Sequence, residues 1–426
     1  MPPLAQYVGL PWDVAVDDPV ASLAGARRAL GDEFVVDSGD DRYLFTFSAV
    51  GVAAFYALPE EQASKGVADW RMLRRKLPDE IFAGRRIFPH ALFGRDDVAN
   101  YLGNLERALD ITVDELGTDG EVDVFALSRR LGHRLGLASW GGPGSARGER
   151  FERLVAAFDV LDGSESFVHP DAMAAVAAND KAAEREALAS VITVLGEALD
   201  ELEGERPTHP LFARVADTWA DQLPAARRAG VALDVALIHV ASMSNLFAAL
   251  GWLLVDLIEH PAEADRVAQG DRARAGQCAL ESTRLAQRSI MARYVLTPTT
   301  FDSAHGRCAV APGATIATLL PLTNTTAAPG LAAWHPDRWQ RRRLTDNAAL
   351  AVPELVTVFG HGRHTCPAQP FSISAMVAAT TRLLGAFGCT PGWDAHPEPV
   401  RAQIGGVARA AQPCPVRYRL RGTTAP

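Results

Sequence analysis

Cysteine is scarce: the 426-residue chain has five, Cys278, Cys308, Cys366, Cys389 and Cys414. Their number is odd and no two are spaced Cys-x-x-Cys, which argues against a disulfide framework and against a structural zinc site. An excess of positive charge is lacking too. Forty-two Lys and Arg face 51 Asp and Glu, a net charge of −9, so no basic footprint for nucleic acid exists. Two short basic clusters, at residues 71–76 and 341–343, read as solvated faces or as a docking site for an acidic redox partner. The N-terminus has neither a basic nor an apolar leader segment, and the longest apolar stretch, Leu246 to Ile258, carries Asp256. We therefore expect no signal peptide, no membrane association and a cytoplasmic protein. No period of 20–50 residues recurs and no linker interrupts the chain.

What is present is ordinary globular composition, 48% hydrophobic and 22% charged, enough to bury a large core. Residues 33–36 and 43–48 flank an Asp-rich turn and predict a β-hairpin. Helical spacing covers residues 96–116, 122–137 and 179–202. The Gly-rich stretch 140–148 predicts a long mobile loop. Residues 231–260 predict a buried helix, apolar around most of its circumference and closed by Pro261. Short strands are expected near 309–310 and 315–320, and a last helix from just after Cys366 to about Leu384. Strands and helices do not alternate as βαβ units. The expected class is mainly α with small β-sheets, one large domain over residues 1–426, β-rich at about 30–60 and helical from about 85 onward.

The strongest local signal is Phe359-Gly-His-Gly-Arg-His-Thr-Cys366-Pro-Ala. Two glycines allow a tight turn and close approach of backbone to a flat group. A cysteine opening a helix meets free N–H groups and the positive dipole end, which favour the thiolate. Such a sulfur suits ligation of iron; the plainer reading is a structural cysteine in a Gly-rich turn. Farther upstream, Glu281-Ser-Thr-Arg284 places a carboxylate and a guanidinium three apart on one helix face. Trp334-His-Pro-Asp-Arg338-Trp lies between the two.

In this order and spacing, the three motifs resemble the cytochrome P450 superfamily, of the soluble bacterial type. The resemblance extends over nearly the whole chain. Ala368 stands where a glycine is usual. The resemblance implies a P450 fold holding heme b, iron protoporphyrin IX, with Cys366 as the metal ligand and Phe359 and Gly360 in the cofactor loop. It implies a structural triad of Glu281, Arg284 and Arg338. Arg293 and His364 match residues that hold heme propionates, and Arg86 is a third candidate, with Arg85 as its rival. Trp70 and Arg74 have the form of a fourth such pair.

The helix at 231–260 carries Ala241-Ser-Met-Ser-Asn245 where most of the superfamily has Ala-Gly-x-Asp/Glu-Thr. Ser244 and Asn245 thus replace the acid–alcohol pair that delivers protons for oxygen activation, and neither supplies an acidic proton. The pattern resembles members acting on sterols and bile-acid precursors, and also prostacyclin synthase, which rearranges a peroxide. The expected function is a heme-thiolate monooxygenase acting on a small, largely apolar molecule. Natural-product or antibiotic biosynthesis is the expected setting, with ferredoxin and ferredoxin reductase as electron donors. A heme-thiolate isomerase, dehydratase or cyclase is the alternative, and a heme-binding sensor a second. A monomer is expected. The substrate pocket is assigned to Leu237, Val240, Ala241, Met243, Ser289, Ile290 and Met291, with residues 67–84 and the neighbourhood of Ile404. His239 reads as a satisfied core histidine rather than a catalytic one.

Overall fold

A computed structural model describes residues 2–14, 16–83, 92–163, 170–342, 344 and 349–422. Helix α1 (Pro19–Leu30) starts where the Asp18 side chain accepts the Ala21 N–H, satisfying one of the donors a helix leaves unpaired at its start. The expected hairpin follows as β1 (Glu33–Ser38) and β2 (Asp41–Thr46). Then come α2 (Ala49–Ala57), β3 (Ala63–Ser64), α3 (Lys65–Leu73), α4 (Arg95–Leu116), β4 (Asp119–Asp123), α5 (Val124–Trp140) and α6 (Gly148–Leu161). The middle of the chain is helical: α7 (Pro170–Ala178), α8 (Ala182–Glu205), α9 (Pro210–Asp217), α10 (Pro224–Glu259), α11 (Pro261–Ala268) and α12 (Arg272–Ala286). The last part holds β5 (Ile290–Val295), β6 (Thr299–Ser303), β7 (Gly306–Val310), β8 (Thr315–Leu319), α13 (Leu320–Thr326), α14 (Gln369–Ala386), β9 (Phe387–Pro391) and β10 (Pro415–Leu420).

The strands form a five-stranded sheet, β1-β2-β8-β5-β3, and smaller sheets β4-β10-β9 and β6-β7. In the large sheet β2 runs parallel to β8, pairing Tyr43–Phe45 with Thr315–Ala317. Phe34, Phe45 and Phe47 stack on its inner face. The helical part packs around α10, which touches α5, α8, α12 and α14.

Helix α10 begins seven residues before the predicted start, at Pro224, because proline is well placed in a first turn where its missing N–H is not needed. Its 36 residues are long and apolar enough to cross a membrane; here they are mostly buried against other helices. The expected mobile loop at 140–148 is instead a short turn, buried at Gly141, Gly142, Pro143 and Ser145. Ser145 Oγ donates to Gly141 O at 2.6 Å and Arg150 Nη1 to Pro143 O at 2.7 Å. Those side-chain bonds do what a loop would leave to water. Residues 71–76 are not a free basic face either. Arg71 and Arg75 pair with Asp41, Arg75 also with Asp13, and Lys76 is buried, donating to Val160 O and Gly163 O. The side chains of the second basic cluster lie outside the described residues.

Candidate functional site

Glu281 and Arg284 occupy successive turns of α12 and are completely buried. Two charges can be kept out of water only if each is paired and hydrogen-bonded, and these are. Arg284 Nε and Nη2 donate to the Glu281 carboxylate at 2.8 and 2.7 Å. The remaining capacity of that carboxylate is taken by Trp339 Nε1 (2.7 Å), the His335 N–H (3.0 Å) and Arg338 Nε (3.3 Å). The three residues singled out in the sequence are thus brought together, with Trp339 as a fourth partner.

From Arg284 a chain of bonds leads to the cysteine loop. Arg284 Nη1 donates to Asn324 O at 2.6 Å, and the Asn324 amide bonds Thr357 in both directions, at 2.9 Å each. Thr357 Oγ1 then accepts the Gly360 N–H at 2.7 Å. Asn324 has no signature in the sequence, because a buried asparagine is distinguished only by the partners it meets.

Gly360 has φ +80°, and a Cβ there would lie 2.4 Å from His364 O. Only glycine fits. The loop closes with the Cys366 N–H donating to Phe359 O at 2.7 Å. Burial pushes the Cys366 thiol above its ordinary pKa, and the N–H groups of Ala368 and Gln369 and the charge of Lys65 pull it back only in part. The expectation that the helix start would lower it is therefore not met: desolvation outweighs the backbone dipoles.

Cys366, Phe359, Gly360 and His364 line a cavity of about 1100 Å³, with α10 on one wall. Behind His364, the fully buried Arg293 donates to Ala63 O at 2.8 Å, to Phe55 O at 3.2 Å and to His364 Nε2 at 2.9 Å. Arginine can only donate, so His364 carries its proton on Nδ1. Burial and the Arg293 charge both lower the His364 pKa. Glu60 lies 3.4 Å from Arg293; burial opposes its ionisation, but hydrogen bonds from Ser64 and from backbone N–H groups, with Arg293, hold it below the usual range. Tyr56 lines the same cavity, and its buried hydroxyl has no partner among the described residues. Nothing in the apolar pattern of α2 marks Tyr56.

No protein-family model matches the sequence, and no curated protein sequence matches it. Solved structures do match. Retinoic acid-bound CYP120A1 from a cyanobacterium superposes with a TM-score of 0.73 at 16% identity, covering 99% of this chain and 100% of that one. CYP175A1 from Thermus thermophilus gives 0.69 at 20% identity, over 94% and 95%. Both are cytochromes P450.

The chain has the cytochrome P450 fold.

Of the pocket assigned from sequence, the P450-type cavity contains Ala241, Ser289 and Met291, along with Asn245. Leu237, Val240, Met243 and Ile290 do not line it. The face of α10 that does is Ile238, Ala241, Ser242, Asn245, Leu246 and Ala249. The expected helical period holds and its phase is off. Met243 points the other way, against Gly136 of α5. Ile290 packs under the large sheet with Phe45 and Leu319. Of the described residues in 67–84, Asp69 alone reaches the cavity, and Val407 takes the place expected near Ile404.

Ser244 does not line the cavity either. Its Oγ accepts from Arg409 Nη2 at 2.8 Å, and the same nitrogen donates to Asp162 at 2.8 Å. Asn245 Oδ1 accepts the Val407 N–H at 2.8 Å. His239 is a satisfied core histidine, with Trp140 Nε1 at 3.3 Å and His133 Nδ1 at 2.9 Å. Arg74 stacks on Trp70 and pairs with Asp79, away from the cavity. Arg86 and Arg85 lie outside the described residues.

These residues fit a flat, thiolate-ligated group with anionic arms. The sulfur is in the cavity wall, the loop at Gly360 admits no side chain, and His364, backed by the buried Arg293, lines the same cavity as Tyr56, whose buried hydroxyl is unpartnered among the described residues.

Proposed function

We propose that the protein is a heme-thiolate monooxygenase that oxidises a small, largely apolar molecule. The observation that carries this reading is the Cys366 sulfur in the wall of a P450-type cavity, in a loop tied through Thr357 and Asn324 to the buried Arg284–Glu281 pair. In this reading Cys366 ligates the iron of heme b, with Phe359 and Gly360 beside it. Arg293, His364 and Arg86 hold the propionates. The bound heme would supply oxygen and redox chemistry, with the thiolate donating electron density to the iron. The protein's part is to hold the ring, keep water out and orient the substrate against the α10 wall. The chain would act as one domain and as a cytoplasmic monomer, taking electrons from ferredoxin and its reductase in natural-product metabolism.

A second reading, a heme-thiolate isomerase, dehydratase or cyclase, has an observation in its favour. Ser244 is engaged by Arg409 and Asn245 Oδ1 by Val407, and an arginine does not give up its proton. That leaves no acid–alcohol pair at this place on α10.

The reduced carbon monoxide complex tests the shared part. A red-shifted thiolate Soret band is expected in the wild type and lost in Cys366→Ala; an unchanged spectrum in that variant refutes the ligand assignment. Turnover without any electron source would decide for the second reading.

A further inference from the structure

The α10 wall of the cavity is apolar at Ile238, Ala241, Leu246 and Ala249. Ser242, on the same face, spends its hydroxyl proton on Ile238 O at 2.5 Å. Asn245 differs. Its Oδ1 is taken by the Val407 N–H. A backbone N–H only donates, so this partner fixes which end of the amide faces the turn at 405–407. The turn is shaped to receive it: Gly406 has φ +63°, and a Cβ there would lie 2.3 Å from Oδ1. On its other side the Arg288 N–H donates to Gly406 O at 2.9 Å. The amide therefore cannot flip without losing its bond to a turn that is itself held. Asn245 Nδ2 has no hydrogen-bond partner among the described residues, and the residue is exposed to the cavity.

We propose that Asn245 is a specificity-determining residue whose Nδ2 donates to one acceptor oxygen, of carbonyl or ether type, on an otherwise apolar substrate. This rests on reading the cavity as the substrate site. The physics is asymmetric. A ligand that covers Asn245 without an acceptor strips water from two N–H groups and returns nothing, while a ligand with the oxygen replaces what is lost. The fixed orientation sharpens the choice, because both N–H groups of Nδ2 are left for the ligand while Oδ1 is engaged by Val407.

Cyclooctanone and cyclooctane share a ring and differ by the carbonyl. Binding of each to the heme-loaded protein is measured by equilibrium dialysis, for the wild type, Asn245→Asp and Asn245→Leu. The aspartate keeps an acceptor for the Val407 N–H and lacks the two donors; the leucine lacks both functions. The readout is the ketone-to-hydrocarbon affinity ratio, which is insensitive to general damage. The wild type is expected to favour the ketone, and the ratio to fall about tenfold in both variants. A wild type without ketone preference, or a ratio unchanged in the two variants, overturns the proposal. The reduced carbon monoxide spectrum is recorded on the same samples, and a missing thiolate band would count against the heme reading alone.

Discussion

The two sides of the cavity are held by different kinds of polar contact. On the cysteine side, Glu281 and Arg284 are fully buried and doubly hydrogen-bonded to each other, and a second cation, Arg338, with Trp339 and the His335 N–H, completes the carboxylate. On the α10 side, Arg409 holds Ser244 and Asp162 together, Arg129 stands 3.7 Å from Asp162, and Lys76 is buried close by. Three cations gather around Asp162 there, with Asp159 taking Arg129 at 2.6 Å and Glu184 near Lys76. The first arrangement behaves as a closed unit that fixes the ligand loop. The second joins α10 and the C-terminal turn to the end of α6 and keeps a lysine amine, that of Lys76, in a poorly solvated place.

Three measurements would break or sharpen this contrast. The largest effect belongs to the cysteine side. Arg284→Ala takes the bidentate partner from the buried Glu281, leaving Arg338 at 3.3 Å as its cation, and cuts the bond to Asn324, at a cost of about 3 kcal/mol, read as a large fall in the urea midpoint or as failure to fold. A loss below about 1 kcal/mol would mean the pair is not the anchor described.

Next comes Lys76. Burial drives its pKa from 10.5 down to about 8, although Asp162 and Glu184 pull it back. Between these values the unfolded chain binds a proton that the native state has released, so stability rises with pH through this window. Below the folded pKa, holding the charged amine costs the full amount. The expected gain from pH 8 to pH 10 is about 2 kcal/mol, and Lys76→Met should lack it. Denaturant midpoints of both proteins at pH 8, 9 and 10 give the difference directly; parallel curves would show that the charge cluster is not strained.

The smallest effect is expected at Ser244. Replacing it by alanine removes one acceptor from Arg409, which keeps Asp162, and should cost about 1 kcal/mol or less by the same titration.

The same division governs how much the sequence reveals. The cysteine loop and the Glu281–Arg284 pair are legible because each is confined to a few consecutive residues whose chemistry demands that spacing. Gly360 is needed at a positive φ, and i,i+3 places the ion pair on one face. Arg338 is recognisable by its place in a motif. The partners of Ser244 and Asn245 lie 165 and 162 residues away, and nothing near Arg409 or Val407 announces them. The lining of α10 is hidden for a different reason. A helix buried on most sides gives no polar stripe from which to read which residue faces a cavity, so Ile238 and Ser242 cannot be told from Leu237 and Met243. Arg74 misleads for the converse reason: its spacing from Trp70 is satisfied locally, by stacking.

The parallel pairing of β2 with β8 also sets a schedule for synthesis. Tyr43–Phe45 must wait for Thr315–Ala317, which at about 5–20 residues per second takes from roughly a quarter of a minute to a minute. Until then the N-terminal hairpin has an open edge on the β2 side and a row of phenyl rings, Phe34, Phe45 and Phe47, without the rest of the sheet. That combination favours pairing with other chains. During translation the nascent hairpin thus presents an edge and an apolar face that a chaperone would cover, although in the finished protein it lies among the best-buried residues.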